Sequence, residues 1–331
     1  MSKYKFPYVR MRRNRNSPFI RDLLQENTIT VKDLVYPLFI IDGVGKLEPI
    51  TSMPGQMRYS IDQALIVIEE CIDLGILAIA LFPVINTAKD NFGSESYNPN
   101  GLVQRAVKTI KDKYPQIVIF TDVALDPYTI HGQDGIIDDN RYVLNDVTNE
   151  VLVKQALSHA KAGADFVAPS DMMDGRVVKI RRALEEEGFY NTGIMSYSIK
   201  YASSFYGPFR DAVHSSGNLK KADKKTYQMN PANINEAYVE AKLDIEESAD
   251  IIMVKPGIGY LDVVYQMKTT HKIPVAVYHV SGEYSMLKAA SQNGWIDYSS
   301  CLLETMLCFK RARADIIWTY SALDVARLIN Q

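Results

Sequence analysis

Short apolar runs rich in β-branched and aromatic residues recur along the chain, and segments with helical spacing separate them. Most of the runs are continuously apolar, which is typical of strands covered on both faces, as in a parallel sheet. The eight runs cover residues 36–41, 77–82, 117–121, 165–168, 193–196, 251–254, 275–280 and 316–319. The pattern therefore predicts a parallel sheet of short, buried strands.

The segments between the runs repeat apolar residues at helical spacing. The predicted helices cover residues 61–74, 102–114, 150–162, 176–187, 235–248, 260–271, 284–293, 302–312 and 322–329. Strands that alternate with helices in this way over about 300 residues predict a single α/β domain, a (β/α)8 TIM barrel. A doubly wound open sheet is the alternative, and we disfavour it because no glycine-rich phosphate turn follows the first run.

The chain ahead of the first run is basic and polar. Its first 15 residues carry six lysines and arginines and no acidic residue, whereas the whole chain has a net charge of −2. Residues 1–30 are predicted to form an extended arm for subunit contacts, and residues 31–331 to form the barrel. The alternatives for the arm are a solvated tail and a nucleic-acid contact, and we favour subunit contact because an acidic body is the nearest partner.

Composition excludes several other classes of protein. The chain is 47% hydrophobic and 23% charged, as in an ordinary globular protein. No run approaches the roughly 18 apolar residues of a membrane helix, and the start of the chain lacks the apolar core of a secretion signal. Cys71, Cys301 and Cys308 lie in apolar helical patterns and are expected to be reduced. We expect a cytoplasmic protein with neither nucleic acid nor a membrane as its partner.

Two lysines lie where a barrel enzyme places its chemistry, at the carboxyl ends of strands. Lys255 ends the sixth run and Lys200 follows the fifth. A charged lysine is costly to bury, and two neighbouring ammonium groups repel, so at least one pKa should fall and yield a neutral amine that attacks a carbonyl. The pair predicts Schiff-base chemistry with two carbonyl substrates. The alternative is two unrelated lysines that reach solvent or pair with carboxylates.

Three long segments follow strand ends, at residues 83–101, 122–148 and 200–232. The third resembles a lid, with Arg210 inside an aromatic run and several lysines after it. The lid lysines are Lys220, Lys221, Lys224 and Lys225. Cations on a closing lid suit an anionic substrate such as a carboxylate, and a solvated basic loop is the alternative.

The second long segment is rich in oxygen ligands. Asp122, Asp126, His131 and Asp134 follow the third run. Such a set suits a hard cation such as Mg²⁺. The same residue types are common in turns, so turn formation is the alternative explanation.

At these residues the sequence resembles the 5-aminolevulinate dehydratase (porphobilinogen synthase) family, from about Arg21 to the end of the eighth run. The motifs are SYSIKYASSFYGPFRDA (196–212), MVKPGIGYLDVV (253–264), VYHVSGEY (277–284) and TDVALDPYTIHGQDG (121–135). The resemblance implies a (β/α)8 barrel whose N-terminal arm embraces a neighbouring subunit in a homo-octamer. It also implies condensation of two 5-aminolevulinates to porphobilinogen with loss of two waters, an early step of tetrapyrrole (heme) biosynthesis.

The resemblance assigns roles to individual residues. Lys255 and Lys200 match the Schiff-base lysines that hold the first and second substrate, and they replace an organic cofactor. Ser281 and Tyr320 match positions that bind the first substrate's carboxylate. Arg210 and Lys224 match the cationic pair that binds the second substrate's carboxylate, and Gln228 lies next to them. Some members carry arginine at the position of Lys224, so the grip here is expected to be less bidentate.

The metal ligands separate the branches of this family. Zinc-type members carry three cysteines where this chain has Ala124, Asp126 and Asp134, so we expect no catalytic zinc. The chain resembles the aspartate-rich branch, in which Mg²⁺ acts allosterically at a glutamate matching Glu240, near a subunit interface. In that branch the active-site loop residues Asp122, Asp126 and Asp134 would instead order water, the substrate amine or a monovalent ion.

Two rival interpretations and one departure remain. A class I aldolase of the same fold generally uses one lysine, and a barrel that has lost activity would serve assembly alone; the lysine pair and the retained site residues argue against both. Arg313 replaces a glycine common in the family. It precedes the eighth run, so we expect it on the face opposite the chemistry.

Overall fold

A computed structural model describes residues 5–213 and 223–331 of the chain. Of the predicted lid cations, Lys220 and Lys221 lie outside the described residues, whereas Arg210, Lys224 and Lys225 lie within them.

Within the described ranges, parallel strands close into an eight-stranded barrel because the last strand pairs with the first. The barrel strands are β1 (Leu34–Ile41), β4 (Ala78–Val84), β5 (Val118–Val123), β6 (Phe166–Pro169), β7 (Gly193–Lys200), β8 (Ile251–Lys255), β9 (Val275–His279) and β10 (Ile316–Thr319). The predicted TIM barrel is confirmed. The sequence pattern missed a short ribbon after β1, in which β2 (Leu47–Pro49) pairs antiparallel with β3 (Met57–Ser60) and β3 pairs parallel with the end of β1.

Helices surround the barrel. They are α1 (Pro18–Leu23), α2 (Ile61–Asp73), α3 (Leu102–Lys113), α4 (Asn145–Ala162), α5 (Arg176–Glu186), α6 (Gly207–Ala212), α7 (Asn235–Glu246), α8 (Leu261–Thr270), α9 (Ser281–Gln292), α10 (Tyr298–Arg311) and α11 (Ala322–Ile329). Single 3-10 turns cover Met11–Arg15, Val31–Asp33, Ser94–Tyr97, Ser204–Tyr206 and Ile258–Tyr260. In the described residues, no helix combines the length and the apolar character that crossing a membrane requires.

The strand residues alternate between two hydrophobic cores. On β1, Tyr36, Leu38 and Ile40 pack outward against the helices, whereas Phe39 faces the inside of the barrel. The interior is filled by aromatic rings around Trp318, whose indole lies 5.3 Å from Phe120 and 5.5 Å from Tyr278 between ring centroids. The inner core therefore forms a solid floor beneath the carboxyl ends of the strands.

The amino end of the barrel, here called the bottom, carries three repeated aspartate clamps. Each aspartate directly precedes a strand, and its carboxylate accepts a 2.7 Å hydrogen bond from a backbone N–H of the neighbouring strand region. Its own N–H donates back to the carbonyl of the same residue. The clamps pair Asp165 with Ile119, Asp250 with Ile194, and Asp315 with Val275. These paired bonds fix adjacent strand starts against each other.

Several element boundaries differ from the prediction. β7 runs on to Lys200, with a register shift against β8 between Ser196 and Ile199. Asp122 lies within β5 and not after it. α4 and α9 begin five and three residues earlier than predicted, at Asn145 and Ser281. Their first turns are polar, so apolar periodicity carries no signal there.

The N-terminal arm buries little of its surface against the rest of its own chain. The 3-10 turn Met11–Arg15 and helix α1 bury none of their residues. Large apolar side chains stand out from it, with Tyr8 82%, Phe19 85% and Leu23 82% exposed. Exposed apolar side chains in such number are typical of surfaces that bind another protein.

Arg313 lies before β10, at the end of the barrel opposite the lysines, as the sequence predicts. Its backbone is left-handed, with φ of 69°, a conformation that glycine adopts at least cost. The left-handed backbone explains why a glycine is common at this position in the family that the sequence resembles. The guanidinium lies 5.5 Å from the centre of the Tyr265 ring, a contact that only the arginine can make.

Candidate active site

Two lysines end adjacent strands at the carboxyl end of the barrel, here called the top. Lys200 of β7 and Lys255 of β8 are partners in the strand register, and each is 6% exposed. Both line one cavity. The other lining residues are Phe82, Asp122, Asp126, Asp134, Ser170, Tyr206, Phe209, Arg210, Lys224 and Gln228. The structure thus brings three predicted groups into one cavity. They are the two lysines, the three aspartates, and the lid cations that were predicted to bind the carboxylate of the second substrate.

Aromatic rings surround the Nζ of Lys255. This aromatic cage consists of Tyr197, Tyr206, Phe209 and Tyr278, with ring centres 5.0, 5.3, 5.2 and 4.5 Å from the nitrogen. Burial, the largest cause, and the nearby charge of Lys200 together lower the pKa of Lys255 to about 7, against the opposing effect of Asp122. A large fraction of this amine is therefore neutral near pH 7 and able to attack a carbonyl.

Lys200 lies in a more polar environment. Its Nζ donates to the carbonyl oxygen of Ser170 on the adjacent strand end and lies 3.7 Å from the Oδ2 of Asp134. Asp134 also accepts from Lys224 at 2.8 Å, and Asp126 lies 3.3 Å from the same ammonium. The two Schiff-base candidates therefore differ, because one is ringed by aromatic side chains and the other by oxygens.

Three aspartates in this cavity have different proton affinities. Burial, the largest cause, and the neighbouring Asp126 together raise the pKa of Asp122 to about 7, against the opposing charge of Lys200. Although burial opposes it, the charges of Lys200 and Lys224 hold the pKa of Asp134 well below its usual range. Carboxyl groups whose pKa values are separated in this way are suited to different roles, one as a fixed anion and one as a proton carrier. The Oδ1 of Asp122 has no hydrogen-bond partner within the described ranges.

Two predicted carboxylate-binding residues lie behind the cavity wall. Ser281 and Tyr320 are 1% and 2% exposed and do not line the cavity. The Oγ of Ser281 accepts from the backbone N–H of Phe209 at 2.9 Å, and the Phe39 ring packs against the rings of both Tyr320 and Phe209. The segment that carries Arg210 therefore contacts Ser281 directly, and it reaches Tyr320 through Phe39.

Sequence patterns missed the aromatic cage. Tyr278 belongs to the predicted apolar run 275–280, whereas Tyr197 lies just beyond the run 193–196, in the extension of β7 that leads to Lys200. A signal existed, because period-2 alternation places Tyr278 two residues before Val280 on the inner face of the barrel. The four rings nevertheless come from three separate parts of the chain, so spacing alone does not bring them together.

The sequence profile of the family described as "Delta-aminolevulinic acid dehydratase" matches residues 8–328. The chain belongs to the delta-aminolevulinic acid dehydratase family. A dehydratase of Bradyrhizobium diazoefficiens is 52% identical over 95% of this chain and 89% of that protein. One of Halalkalibacterium halodurans is 47% identical and covers 98% of both chains.

A solved structure supports the same membership. The dehydratase (porphobilinogen synthase) of Toxoplasma gondii, crystallised in complex with the reaction product porphobilinogen, superposes with a TM-score of 0.94. It is 48% identical and covers 96% of this chain and 91% of that one. The activity of the chain is that of the delta-aminolevulinic acid dehydratase family, condensation of two 5-aminolevulinates to porphobilinogen.

The aspartate segment does not gather its predicted metal ligands around a common point. His131 uses its ring nitrogens on the backbone of Gln133 and Asn91, and Asp126 and Asp134 bind the Lys224 ammonium. In residues 5–213 and 223–331, no three His, Cys, Asp or Glu side chains are grouped to hold a metal ion. The set of three aspartates and a histidine is therefore not assembled here.

Glu240 lies in a second cavity, beside Asp174 and Glu236. Burial raises the pKa of Glu240 to about 7, and nearby Asp244, Asp174 and Glu236 add to the rise against Arg176. A carboxylate disfavoured in this way would be stabilised by a cation, and Mg²⁺ often uses one or two carboxylates and keeps several waters. The residues present fit such an ion. Gln228 lines both this cavity and that of the lysines.

Proposed function

We propose that this dehydratase condenses its two 5-aminolevulinates through a Schiff base on each of Lys255 and Lys200. The observation that carries the proposal is the register of β7 and β8, which places two buried amines side by side in one cavity. Strands in a sheet lie about 4.8 Å apart, so ketones bound to both amines are within reach of each other.

Each lysine attacks the ketone of one substrate, and loss of one water gives an iminium. The iminium withdraws electrons from the neighbouring carbon, which loses a proton and becomes an enamine. The enamine attacks the other substrate's carbonyl carbon, forming the new C–C bond. The amine of the first substrate closes the ring, the lysines are released, and proton loss makes the pyrrole aromatic. By this proposal, Lys255 holds the substrate that becomes the propionate side of the product.

The charges around the cavity suit the substrate carboxylates. Arg210 and Lys224, with Gln228 beside them, are proposed to bind the carboxylate of the second substrate. Ser281 and Tyr320 are proposed to bind that of the first. Since Ser281 now holds the backbone N–H of Phe209, the segment bearing Arg210 must withdraw for the first substrate to enter, as a lid does.

Asp122 is proposed to move protons at the reacting carbons and amines. It lines the cavity between the two lysines, and its Oδ1 has no hydrogen-bond partner among residues 5–213 and 223–331. Burial raises its pKa to about 7, which is the range where a carboxyl group both takes up and releases a proton near neutral pH.

Borohydride reduction in the presence of 5-aminolevulinate tests the lysine assignment, because it converts a Schiff base into a stable amine. Peptide mapping should find the label on Lys255 and on Lys200, and none on the ion-paired Lys288. A colour reaction for the pyrrole product should accompany it. Label on neither cavity lysine would contradict the mechanism. Label on a single lysine without pyrrole formation would favour aldolase chemistry.

We infer a Mg²⁺ ion as an allosteric activator at Glu240, with no catalytic zinc and no organic cofactor. The carboxylates around Glu240 support the first point. The second is supported by Ala124, Asp126 and Asp134, which stand where zinc-type relatives carry cysteines. When bound, the ion would supply positive charge to this second cavity and would not take part in the chemical steps.

We also propose a homo-oligomer, an octamer by resemblance, that works in the cytoplasm. The exposed Tyr8, Phe19 and Leu23 of the arm support subunit contact, and the unpaired Cys71, Cys301 and Cys308 support a reducing compartment. Deleting residues 1–20 should reduce the assembly size measured by light scattering. An unchanged mass would contradict the role of the arm.

A further inference from the structure

The carboxylate of Glu283 connects the start of α9 to the turn that follows Lys255. It lies in the first turn of α9, is 2% exposed, and accepts the backbone N–H of Val280 at 2.9 Å. A glutamate at this position normally caps its own helix and nothing more. Here the same carboxylate also accepts from Ile258 at 2.6 Å and from Gly257 at 3.4 Å.

Gly257 and Ile258 form the turn that follows Lys255 and Pro256 on β8. The turn is tightly held on its other side, because a Cβ at Gly257 would meet the Phe309 ring at 2.7 Å and the carbonyl oxygen of Tyr278 at 2.9 Å. The Glu283 carboxylate and this packing together fix the chain immediately beyond the reactive lysine.

The start of α9 is fixed against the lid segment in turn. The Oγ of Ser281 accepts from Phe209, and a Cβ at Gly282 would lie 2.4 Å from the carbonyl oxygen of Phe205. The hydroxyl of Tyr206 donates to the carbonyl oxygen of Lys255 at 3.2 Å. The Lys255 turn, the start of α9 and the lid segment thus form one connected unit.

We propose that Glu283 is a positioning residue that sets the Lys255 amine relative to the carboxylate site at Ser281. It touches neither substrate nor reacting atoms, and it acts through the turn at Gly257 and Ile258. This inference rests on the proposed role of Lys255. The Nζ of Lys200 is held separately by the carbonyl oxygen of Ser170, so loss of the Glu283 contacts should affect the two lysines unequally.

The test is Glu283→Gln, which keeps the size of the side chain but replaces one acceptor oxygen with an N–H donor. The measurement is borohydride trapping with 5-aminolevulinate at about pH 8, above the pKa of about 7 to which burial raises Glu283. We expect the trapping rate at Lys255 to fall about 100-fold, as a misplacement near 1 Å does, with at most a few-fold change at Lys200. kcat should fall much more than KM rises.

Asp297→Asn is the matched control. It makes the same carboxylate-to-amide change at a helix start, the N-cap of α10, where Asp297 accepts from Ser300. Trapping at both lysines should stay at the wild-type rate. If Glu283→Gln does not fold, Gly257→Ala displaces the same turn from its other side and should give the same selective loss at Lys255.

The outcomes separate this inference from the lysine assignment. Wild-type protein without label on Lys255 would defeat the assignment itself. Wild-type label on Lys255 together with unchanged or equally reduced trapping at both lysines in the folded Glu283→Gln variant would overturn the positioning role.

Discussion

The two ends of this barrel use charged residues in opposite ways. At the bottom, the carboxylates of Asp165, Asp250 and Asp315 each accept a backbone N–H and stay partly in contact with water. At the top, Lys200 and Lys255 are each 6% exposed, and burial together with the charge of Lys200 lowers the pKa of Lys255 to about 7. A pKa shift of this kind is a free-energy cost to the folded state. The bottom therefore stabilises the fold, and the top spends stability on reactivity.

The sharpest test of this contrast is Lys255→Met, which removes the amine and retains an apolar side chain of similar length. We expect kcat to fall by at least about 10³-fold, since the nucleophile is lost. The melting temperature at pH 7 should stay the same or rise, because a costly buried amine has gone. The colour reaction and thermal unfolding measure the two effects.

Exposed Lys242 on α7 offers a matched control, since Lys242→Met makes the same change far from the cavity. It should leave both quantities unaltered. Substantial residual activity in Lys255→Met, or a marked loss of stability, would break the contrast between the two ends.

The second test uses pH. Because the folded pKa of Lys255 is about 7 and the unfolded value is about 10.5, the neutral amine is lost as the pH falls through 7. We expect kcat/KM to fall about tenfold per pH unit below 7. Asp122→Asn should move the midpoint to lower pH, because the carboxylate of Asp122 favours the ammonium form of Lys255. A flat profile between about pH 5.5 and 9 would contradict this.

The same titration has a signature in stability. Between about 7 and 10.5 the unfolded chain binds more protons than the folded chain at this site, so the stability of the wild type should rise with pH in that range. The stability gained by Lys255→Met should accordingly be largest near pH 7 and shrink towards pH 10.5. Urea unfolding of both proteins at several pH values measures this difference.

A smaller effect is expected at the bottom. Asp315→Ala removes the acceptor for the Val275 N–H and the partner of Lys268, and the free energy of unfolding should drop by about 1–2 kcal/mol. kcat should remain at the wild-type value, because the floor of aromatic rings separates the two ends. Asp112→Ala, at an exposed site on α3, serves as the control in urea unfolding. A large loss of kcat at unchanged stability would refute the division.

The smallest effect concerns the metal. Glu240 lies outside the lysine cavity, and Gln228 is the lining residue that the two cavities share within the described part of the chain. EDTA should therefore lower activity by a few-fold, within the 1–3 kcal/mol typical of allosteric coupling. Mg²⁺ should restore it without zinc, and Glu240→Gln should be insensitive to both treatments. Recovery with zinc alone would overturn the metal assignment.

Much of the fold could be predicted from the sequence, because a strand that is buried on both faces appears as a continuous run of apolar residues. Continuous apolar runs revealed all eight barrel strands, and most of the helices between them followed from period 3.6. Helix α6, inside the segment predicted as a lid loop, was missed because its six residues are too few to show that period. The pattern missed the β2–β3 ribbon because its strands have only three and four residues, and β2 is largely exposed. The pattern placed the ends of β5 and β7 too early because Asp122 and Lys200 are polar residues inside strands. Their conformation is decided by tertiary packing.

The site could be predicted less completely. The two lysines follow from the rule that barrel chemistry lies at strand ends, and their neighbours on the lid followed from resemblance. The cage around Lys255, the ion pair between Lys224 and Asp134, and the cover over Ser281 depend on contacts between distant segments. No spacing along the chain encodes those contacts.

The register shift in β7 decides which way Lys200 points. Met195 pairs with Ile251, yet Lys200 pairs with Lys255, so β7 uses five steps where β8 uses four. Side chains alternate sides along a strand, and an unshifted β7 would aim the second amine outward into the helices. Two-substrate chemistry in this barrel thus depends on the accommodation of one surplus residue between Ser196 and Ile199, because the same sequence in an unshifted register would leave a single inward lysine.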